Sequence, residues 1–277
     1  MSSSSLSDLG ETHTDNTVNV TEASDTERET LDGNGSLVEK ANATHHGRIV
    51  IEDWSETGSG IHVDFDDRET VPLTQAISGQ FLGRGATGDV HETTVQGWKL
   101  AHKKIYFTRR VKEIEKKEIS ILTKLVHVHI TQLIGTYTQK RILGVLMYPV
   151  AVCDLHTFFE DVEAWSNVAP TERQPGVEAV SMDYIHRSRL EELGYNFPAK
   201  TEQHKATLVY SKIGCLISAV AYLHDQKIRH KDLKPSNILL SGEKIWLSDF
   251  GSATDFTLLS QSATNNERGT PRYFAPE

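Results

Sequence analysis

Twelve positions separate Asn237 from Asp249, and what fills them limits the folds open to this chain. Ile238-Leu239-Leu240 and Ile245-Trp246-Leu247 are short apolar runs on either side of Ser241-Gly242, the pattern of a tight hairpin. A hairpin returns its two ends to one edge, so Asn237 and Asp249 come side by side and can share a cation. The hairpin is preceded by His230-Lys231-Asp232-Leu233-Lys234-Pro235-Ser236-Asn237 and followed by Asp249-Phe250-Gly251. Phosphoryl transfer needs this set of groups. Asp232 can orient and deprotonate an accepting hydroxyl, Lys234 can steady the phosphate, and Asn237 and Asp249 can ligate Mg²⁺. A single Asp or Asn in a loop is ordinarily a turn former, and it is the ordered set that carries the signal.

Two further motifs lie in line with it. Gly83-Arg84-Gly85-Ala86-Thr87-Gly88-Asp89-Val90 fits the pattern G-x-G-x-x-G-x-V, and Gly269-Thr270-Pro271-Arg272-Tyr273-Phe274-Ala275-Pro276-Glu277 ends in A-P-E. In this order, from about Ile77 to the last residue, the chain resembles the eukaryotic protein kinase family, whose catalytic loop is H-R-D-L-x-x-x-N and whose metal-binding motif is D-F-G. Lys234 and Gly269-Thr270-Pro271 resemble the serine/threonine branch rather than the tyrosine branch. The resemblance implies an α+β, two-lobed fold with a small β-rich N-lobe and a helical C-lobe. The C-lobe is expected to be partial, because the sequence stops at Glu277, where the family continues into further helices.

The resemblance also assigns roles. Gly83, Gly85 and Gly88 cover the phosphates of ATP, Ala101 lies under the adenine, Val90 and Leu239 are further ATP-binding residues, Met147 is the gatekeeper, and backbone groups near Tyr148 and Val150 bind the base. Pro149 between them has no amide to give. Lys99-Leu100-Ala101-His102-Lys103-Lys104-Ile105 reads as a strand with three lysines. Alternation puts Ala101, Lys103 and Ile105 on one face, and since the family's V-A-I-K sets a small residue two before its phosphate-binding lysine, Lys103 is favoured, with Lys104 the competitor. Arg109 to Val126 reads as an amphipathic helix. Glu118 precedes Ile121, Leu122 and Leu125 by three, four and seven, which puts it on the inward face as the lysine's partner, whereas Glu113 and Glu115 read as solvated among Lys112, Lys116 and Lys117. His127-Val128-His129-Ile130 resembles the family's turn after this helix, where histidine is a packing residue. From Lys205 to Asp225 a helix carries Leu208, Ile213, Leu216, Ile217, Val220 and Leu223 toward a core.

Charge divides the chain. Residues 1–70 carry sixteen acidic and four basic side chains, and residues 71–277 twenty-two and twenty-five, so the net charge of -9 belongs to the N-terminal part. This gives an acidic, mostly disordered tail at 1–70, its disorder read over residues 1 to about 46, an N-lobe and hinge at 71–150, and a C-lobe at 151–277 with an insert at about 165–205. Within the tail, Arg48-Ile49-Val50-Ile51 and Ile61-His62-Val63-Asp64-Phe65 are short enough and alternating enough to lie as strands against the first lobe. On this boundary, removal of residues 1–70 is expected to leave nucleotide binding unchanged. Within the insert, Ser181 to Leu193 has helical character.

Cys153 and Cys215 are too few for a disulfide framework, the longest apolar run, Ile142 to Cys153, is too short to span a bilayer, and the N-terminus lacks the form of a signal peptide. These point to an intracellular protein, cytoplasmic or nuclear, with no membrane partner. No basic stripe interleaved with aromatics supports nucleic-acid binding, and no Cys or carboxylate sits at zinc-site spacing beside the histidines.

One departure from the family is Lys231, which replaces an arginine that grips an activation-loop phosphate; lysine lacks the bidentate fork. Thr257, Ser260, Ser262, Thr264 and Thr270 are hydroxyls in or beside that loop. The function expected is a serine/threonine protein kinase, dependent on ATP and Mg²⁺ and acting on protein hydroxyls. The alternative is a truncated kinase or pseudokinase that binds nucleotide or a protein partner without turnover. A small-molecule phosphotransferase fits less well, because such enzymes lack the D-F-G to A-P-E segment.

Overall fold

A computed structural model describes residues 48–51, 53–74, 80–84, 88–167, 184–194, 202–242, 244–257 and 270–273, with only the helix itself described for 202–211. Residues 42–277 form one unit. Its first lobe grows from the turn Gln96-Gly97, where both residues take positive φ, as a two-residue hairpin requires. This turn joins β3 (Asp89–Val95) to β4 (Trp98–Tyr106). With β1 (His62–Asp64), β2 (Phe81–Arg84), β5 (Gln132–Gln139) and β6 (Ile142–Tyr148) they form a six-stranded sheet in the order β1-β5-β6-β4-β3-β2. All pairings are antiparallel except β1 with β5, which runs parallel.

The β1 pairing moves a boundary. Ile49, Trp54 and Val63 are buried in one cluster with Val95, Leu100, Ile134, Tyr137 and Leu146 on the outer face of the sheet. Residues 48–65, which charge alone assigns to the acidic tail, are therefore part of the lobe, and the boundary expected near 70 lies before Arg48. Of the two expected strands, the second forms as β1, while the first contributes buried Ile49 and an isolated bridge at Arg48 instead of a strand. Trp54 is 2% exposed and packs against Gly135, where any Cβ would overlap the indole.

Helix α1 (Glu113–Lys124) starts four residues later than its periodicity suggests. Arg109, Arg110 and Lys112 would put positive charge at the positive end of the helix dipole, whereas Glu113 and Glu115 in the first turn and Lys124 in the last complement it. Ile119 packs with Ile105, Leu143 and Val145 beneath the sheet, while Ile121, Leu122 and Leu125 belong to the core of the second lobe. One helix thus serves both cores.

In the second lobe, β7 (Cys153–Asp154) leads into α2 (Leu155–Ser166), whose first turn is capped by the Asp154 carboxylate accepting from the Thr157 amide at 2.8 Å. The insert contains α3 (Tyr184–Glu192), with Leu190 and Leu193 buried in the lobe's core. Asp161 on α2 is 0% exposed and is paired with Arg189 and His186 of α3, which makes burial of this charge tolerable. Helix α4 (Glu202–Asp225) turns Leu216, Ala219, Val220 and Leu223 toward this core. Ile213 and Ile217, expected to point the same way, lie on a neighbouring stripe and are exposed, because the apolar band is wider than the one face that packs. Side chain Leu208 lies outside the described residues. Among the described residues no helix is long and apolar enough to cross a membrane.

Candidate active site

The upper half of the site is a matter of strand register. Gly83, Val90, Lys103 and Val145 lie directly opposite one another across β2, β3, β4 and β6, and Ala101 faces Met147 in the next row. Directly opposite residues share a face, so the expected nucleotide-contacting side chains Val90, Ala101, Lys103 and Met147 project from the same side of the sheet. Alternation sends His102 to the other side, where its Nε2 lies 3.0 Å from the Tyr137 hydroxyl. Lys103 Nζ donates to Glu118 Oε1 at 3.0 Å and to Oε2 at 3.3 Å, with the two side chains 9% and 8% exposed. Lys103, not Lys104, is thus the lysine held by α1.

Glu115 corrects a sequence expectation. It is 3% exposed instead of solvated, and its Oε2 has no hydrogen-bond partner. It lies three residues before Glu118, so the inward stripe that includes Glu118, Leu122 and Leu125 extends one turn further back.

The glycines divide by cause. A Cβ on Gly83 would meet nothing within 4 Å, so the space over it is open to a ligand. A Cβ on Gly88 would run into the Lys104 carbonyl, so that glycine is required by close strand approach as well as by any phosphate. Gly85 lies outside the described residues.

At the hinge, Tyr148 turns its ring outward against Trp98, 6.1 Å between centroids, leaving its backbone at the cleft. Below the hinge, past the short strand β8 (Ile228–Arg229), Ile238 and Leu240 of β9 (Ile238–Ser241) are buried in the core, so Leu239 between them faces the opposite way, toward the cleft.

The lower half is built by the hairpin of β9 and β10 (Lys244–Leu247), which β7 joins to form a three-stranded sheet, with Gly242 at positive φ in the turn. Beyond the strands, the Ser248 amide donates to the Asn237 carbonyl at 2.9 Å, which sets Asn237 beside the residue preceding Asp249. Asp249 adopts φ 60, a left-handed conformation that Asp tolerates, and its Oδ1 accepts from the Gly251 amide at 3.3 Å. A Cβ on Gly251 would lie 3.3 Å from Asp249 Oδ1 and 3.7 Å from Glu118 Oε2, so the two halves of the site meet at this glycine. Phe250 is buried in the second core, with its ring edge-on to His230 at 4.9 Å. His230 Nε2 donates to the Ser248 carbonyl at 2.9 Å and its Nδ1 accepts from the Asp232 amide, an arrangement that suits the neutral ring. Burial holds its pKa below the usual value.

Asp232 accepts from three side chains. Its Oδ1 accepts from the Thr270 hydroxyl at 2.6 Å, and its Oδ2 from Lys234 Nζ at 2.8 Å and Asn237 Nδ2 at 3.1 Å. Lys234 also donates to the Thr270 oxygen at 3.0 Å, and Asn237 to the Asp232 carbonyl at 2.8 Å. Burial alone would raise the Asp232 pKa, but hydrogen bonds from Lys234 and Thr270, the Lys234 charge and Asn237 together hold it below the usual carboxylate value. Thr270, read from sequence as one of several loop hydroxyls, is occupied in this cluster. The signal that points to it is the pairing of Lys234 with Gly269-Thr270-Pro271, separated by more than thirty residues. Residues 258–269 and 274–277, which include Ser260, Ser262, Thr264 and the A-P-E motif, lie outside the described residues.

The protein kinase domain model matches residues 77–277. The chain belongs to the protein kinase family. Among curated kinases it is 29% identical over 203 residues to serine/threonine-protein kinase fused of Drosophila melanogaster, covering 71% of this chain and 20% of that protein. It is 30% identical over 223 residues to myosin light chain kinase family member 4 of Mus musculus, covering 78% and 46%. Serine/threonine-protein kinase AtPK1/AtPK6 of Arabidopsis thaliana is 27% identical over 228 residues, covering 79% and 38%. The chain thus spans less than half the length of each of these kinases.

Proposed function

We propose that this chain transfers the γ-phosphoryl group of ATP to serine or threonine hydroxyls of a protein. The observation that carries this reading is the clamp on Asp232 by Lys234, Thr270 and Asn237. These contacts fix the Asp232 carboxylate in one orientation, ionised at neutral pH, where a hydroxyl brought within hydrogen-bond reach can pass it a proton. In the proposed reaction the substrate hydroxyl loses its proton to Asp232, its oxygen bonds to the γ-phosphorus, and ADP leaves with the electrons of the broken bond. Lys234 neutralises charge on the transferring group, and Lys103, oriented by Glu118, holds the α- and β-phosphates.

The donor set also suits a hard divalent cation. Asn237 spends its amide nitrogen on Asp232, which leaves its oxygen for a ligand role, and Asp249 is adjacent. Asn237 and Asp249 would hold Mg²⁺, which when bound neutralises phosphate charge. An intracellular setting agrees with ATP as co-substrate and with Cys153 and Cys215 as free thiols.

The test is transfer of labelled γ-phosphate by the 277-residue chain to itself and to a generic Ser/Thr peptide, with Asp232→Asn as control. Transfer lost on substitution supports the reading. Binding of nucleotide with no transfer by either form would turn it to a pseudokinase.

A further inference from the structure

The turn that follows α1 is held from two sides. Leu125 caps the helix, its own amide bonded back to the Leu122 carbonyl at 3.2 Å. Its carbonyl, one of those that a helix end leaves without an internal partner, accepts from Arg48 Nη1 at 3.1 Å. The next peptide amide, on Val126, donates to the Tyr222 hydroxyl of α4 at 2.8 Å. A cation at this end of α1 also complements the helix dipole.

Arg48 stands on a rigid base. The neighbouring Ile49 is buried, and its carbonyl accepts from Gln132 Nε2 at 2.9 Å at the start of β5. Trp54 fills the pit over Gly135, and β1 is laced onto β5. Residues 48–65 form a strap whose first residue grips the end of α1. Seven residues separate Leu125 from Glu118, two turns on one face, so a tilt at Leu125 displaces Glu118 from Lys103. Two polar side-chain links from α1 to the second lobe, Lys117 to Thr254 at 3.4 Å and Lys124 to Asp255 at 2.9 Å, accompany the packing of Ile121, Leu122 and Leu125 in that lobe's core.

We propose that Arg48 is a positioning residue: by holding the C-terminal end of α1 through the Leu125 carbonyl, it keeps Glu118 against Lys103, so that the N-terminal strap sets how firmly the site's lysine is held. Its catalytic consequence rests on the kinase reading, but its structural consequence does not, and the two can be measured apart. In the full 277-residue chain, Arg48→Ala and Arg48→Lys are compared by amide hydrogen exchange in α1, with α2 as internal reference, and by kcat and KM for ATP. Arg48→Ala is expected to speed exchange in residues 119–126 by roughly 2- to 30-fold, with α2 unchanged, and to lower kcat within the same range. Arg48→Lys still offers an N–H to the carbonyl and is expected to restore both in large part. Unchanged α1 exchange in Arg48→Ala, equal acceleration in α1 and α2, or no rescue by lysine would overturn the proposal. If no form transfers phosphate, the kinase reading fails, and the exchange comparison still decides the role of Arg48.

Discussion

Asp232 and Lys103 are held in different ways, and the difference sets how each responds to substitution. Lys103 and Glu118 are a buried ion pair, in which removing one partner leaves a charge without compensation. Lys103→Met is expected to lower the unfolding free energy by about 3–5 kcal/mol in a urea titration, and Lys103→Met with Glu118→Leu to regain most of it while nucleotide binding stays weak. Asp232, by contrast, keeps Lys234 and Asn237 when Thr270 is altered. Losing one hydrogen bond to a charged group costs about 1.5–3 kcal/mol, and where that cost falls on the transition state Thr270→Val should reduce kcat by roughly 10- to 100-fold, while Thr270→Ser retains most activity. At this scale the sequence was informative where chemistry repeats locally. Strand alternation, read with the resemblance to V-A-I-K, separated Lys103 from Lys104, and helical spacing put Glu118 on the inward face, where the resemblance asks for a glutamate. Thr270 was harder, because its contact with Asp232 spans thirty-eight residues and no local period reports it. Glu115 was misread because a charged helix surface resembles its buried margin in sequence.

At the scale of elements, the hairpin of β9 and β10 was legible because two apolar runs and a glycine turn are all it requires. The strap was not. Its two alternating stretches were visible, but the surrounding Asp and Glu residues masked Trp54, and the parallel pairing of β1 with β5 joins positions seventy-four apart, such as His62 and Thr136. The key to its seat is a missing side chain, at Gly135. Gly135→Ala should force the indole of Trp54 out of place and destabilise the chain by about 1–3 kcal/mol, read as a shift in denaturation midpoint. In a Trp54→Ala background the same change should cost much less, since the two residues share one space. Helix α3 was also partly legible, as helical character over Ser181 to Leu193, whereas the burial of Leu190 and Leu193 and the pairing of Arg189 and His186 with Asp161 could be seen only once α2 and α3 were in place.

For the molecule as a whole, the two-lobed α+β architecture followed from the order of the motifs, and the surprise was where the first lobe begins. Acid sensitivity is one property of that whole. Burial, with Lys104 and His91 nearby, lowers the His102 pKa from 6.5 to about 4. Between these values the unfolded chain carries a proton at His102 that the folded chain does not, so stability falls as pH drops through that window, by up to about 3 kcal/mol. Thermal unfolding of His102→Gln should show a correspondingly flatter decline between pH 7 and 4. Asp232, whose pKa is depressed, adds its loss only below the usual carboxylate range. The parallel strand has a last consequence, for solubility. With β1 in place, the outer rim of β5 is covered along Thr136, Tyr137 and Thr138. A chain begun at residue 77, where the family match starts, would leave that rim open beside an emptied tryptophan pit, an invitation to strand addition by another copy. It should elute as oligomers or precipitate, while a chain begun at residue 46 should remain monodisperse.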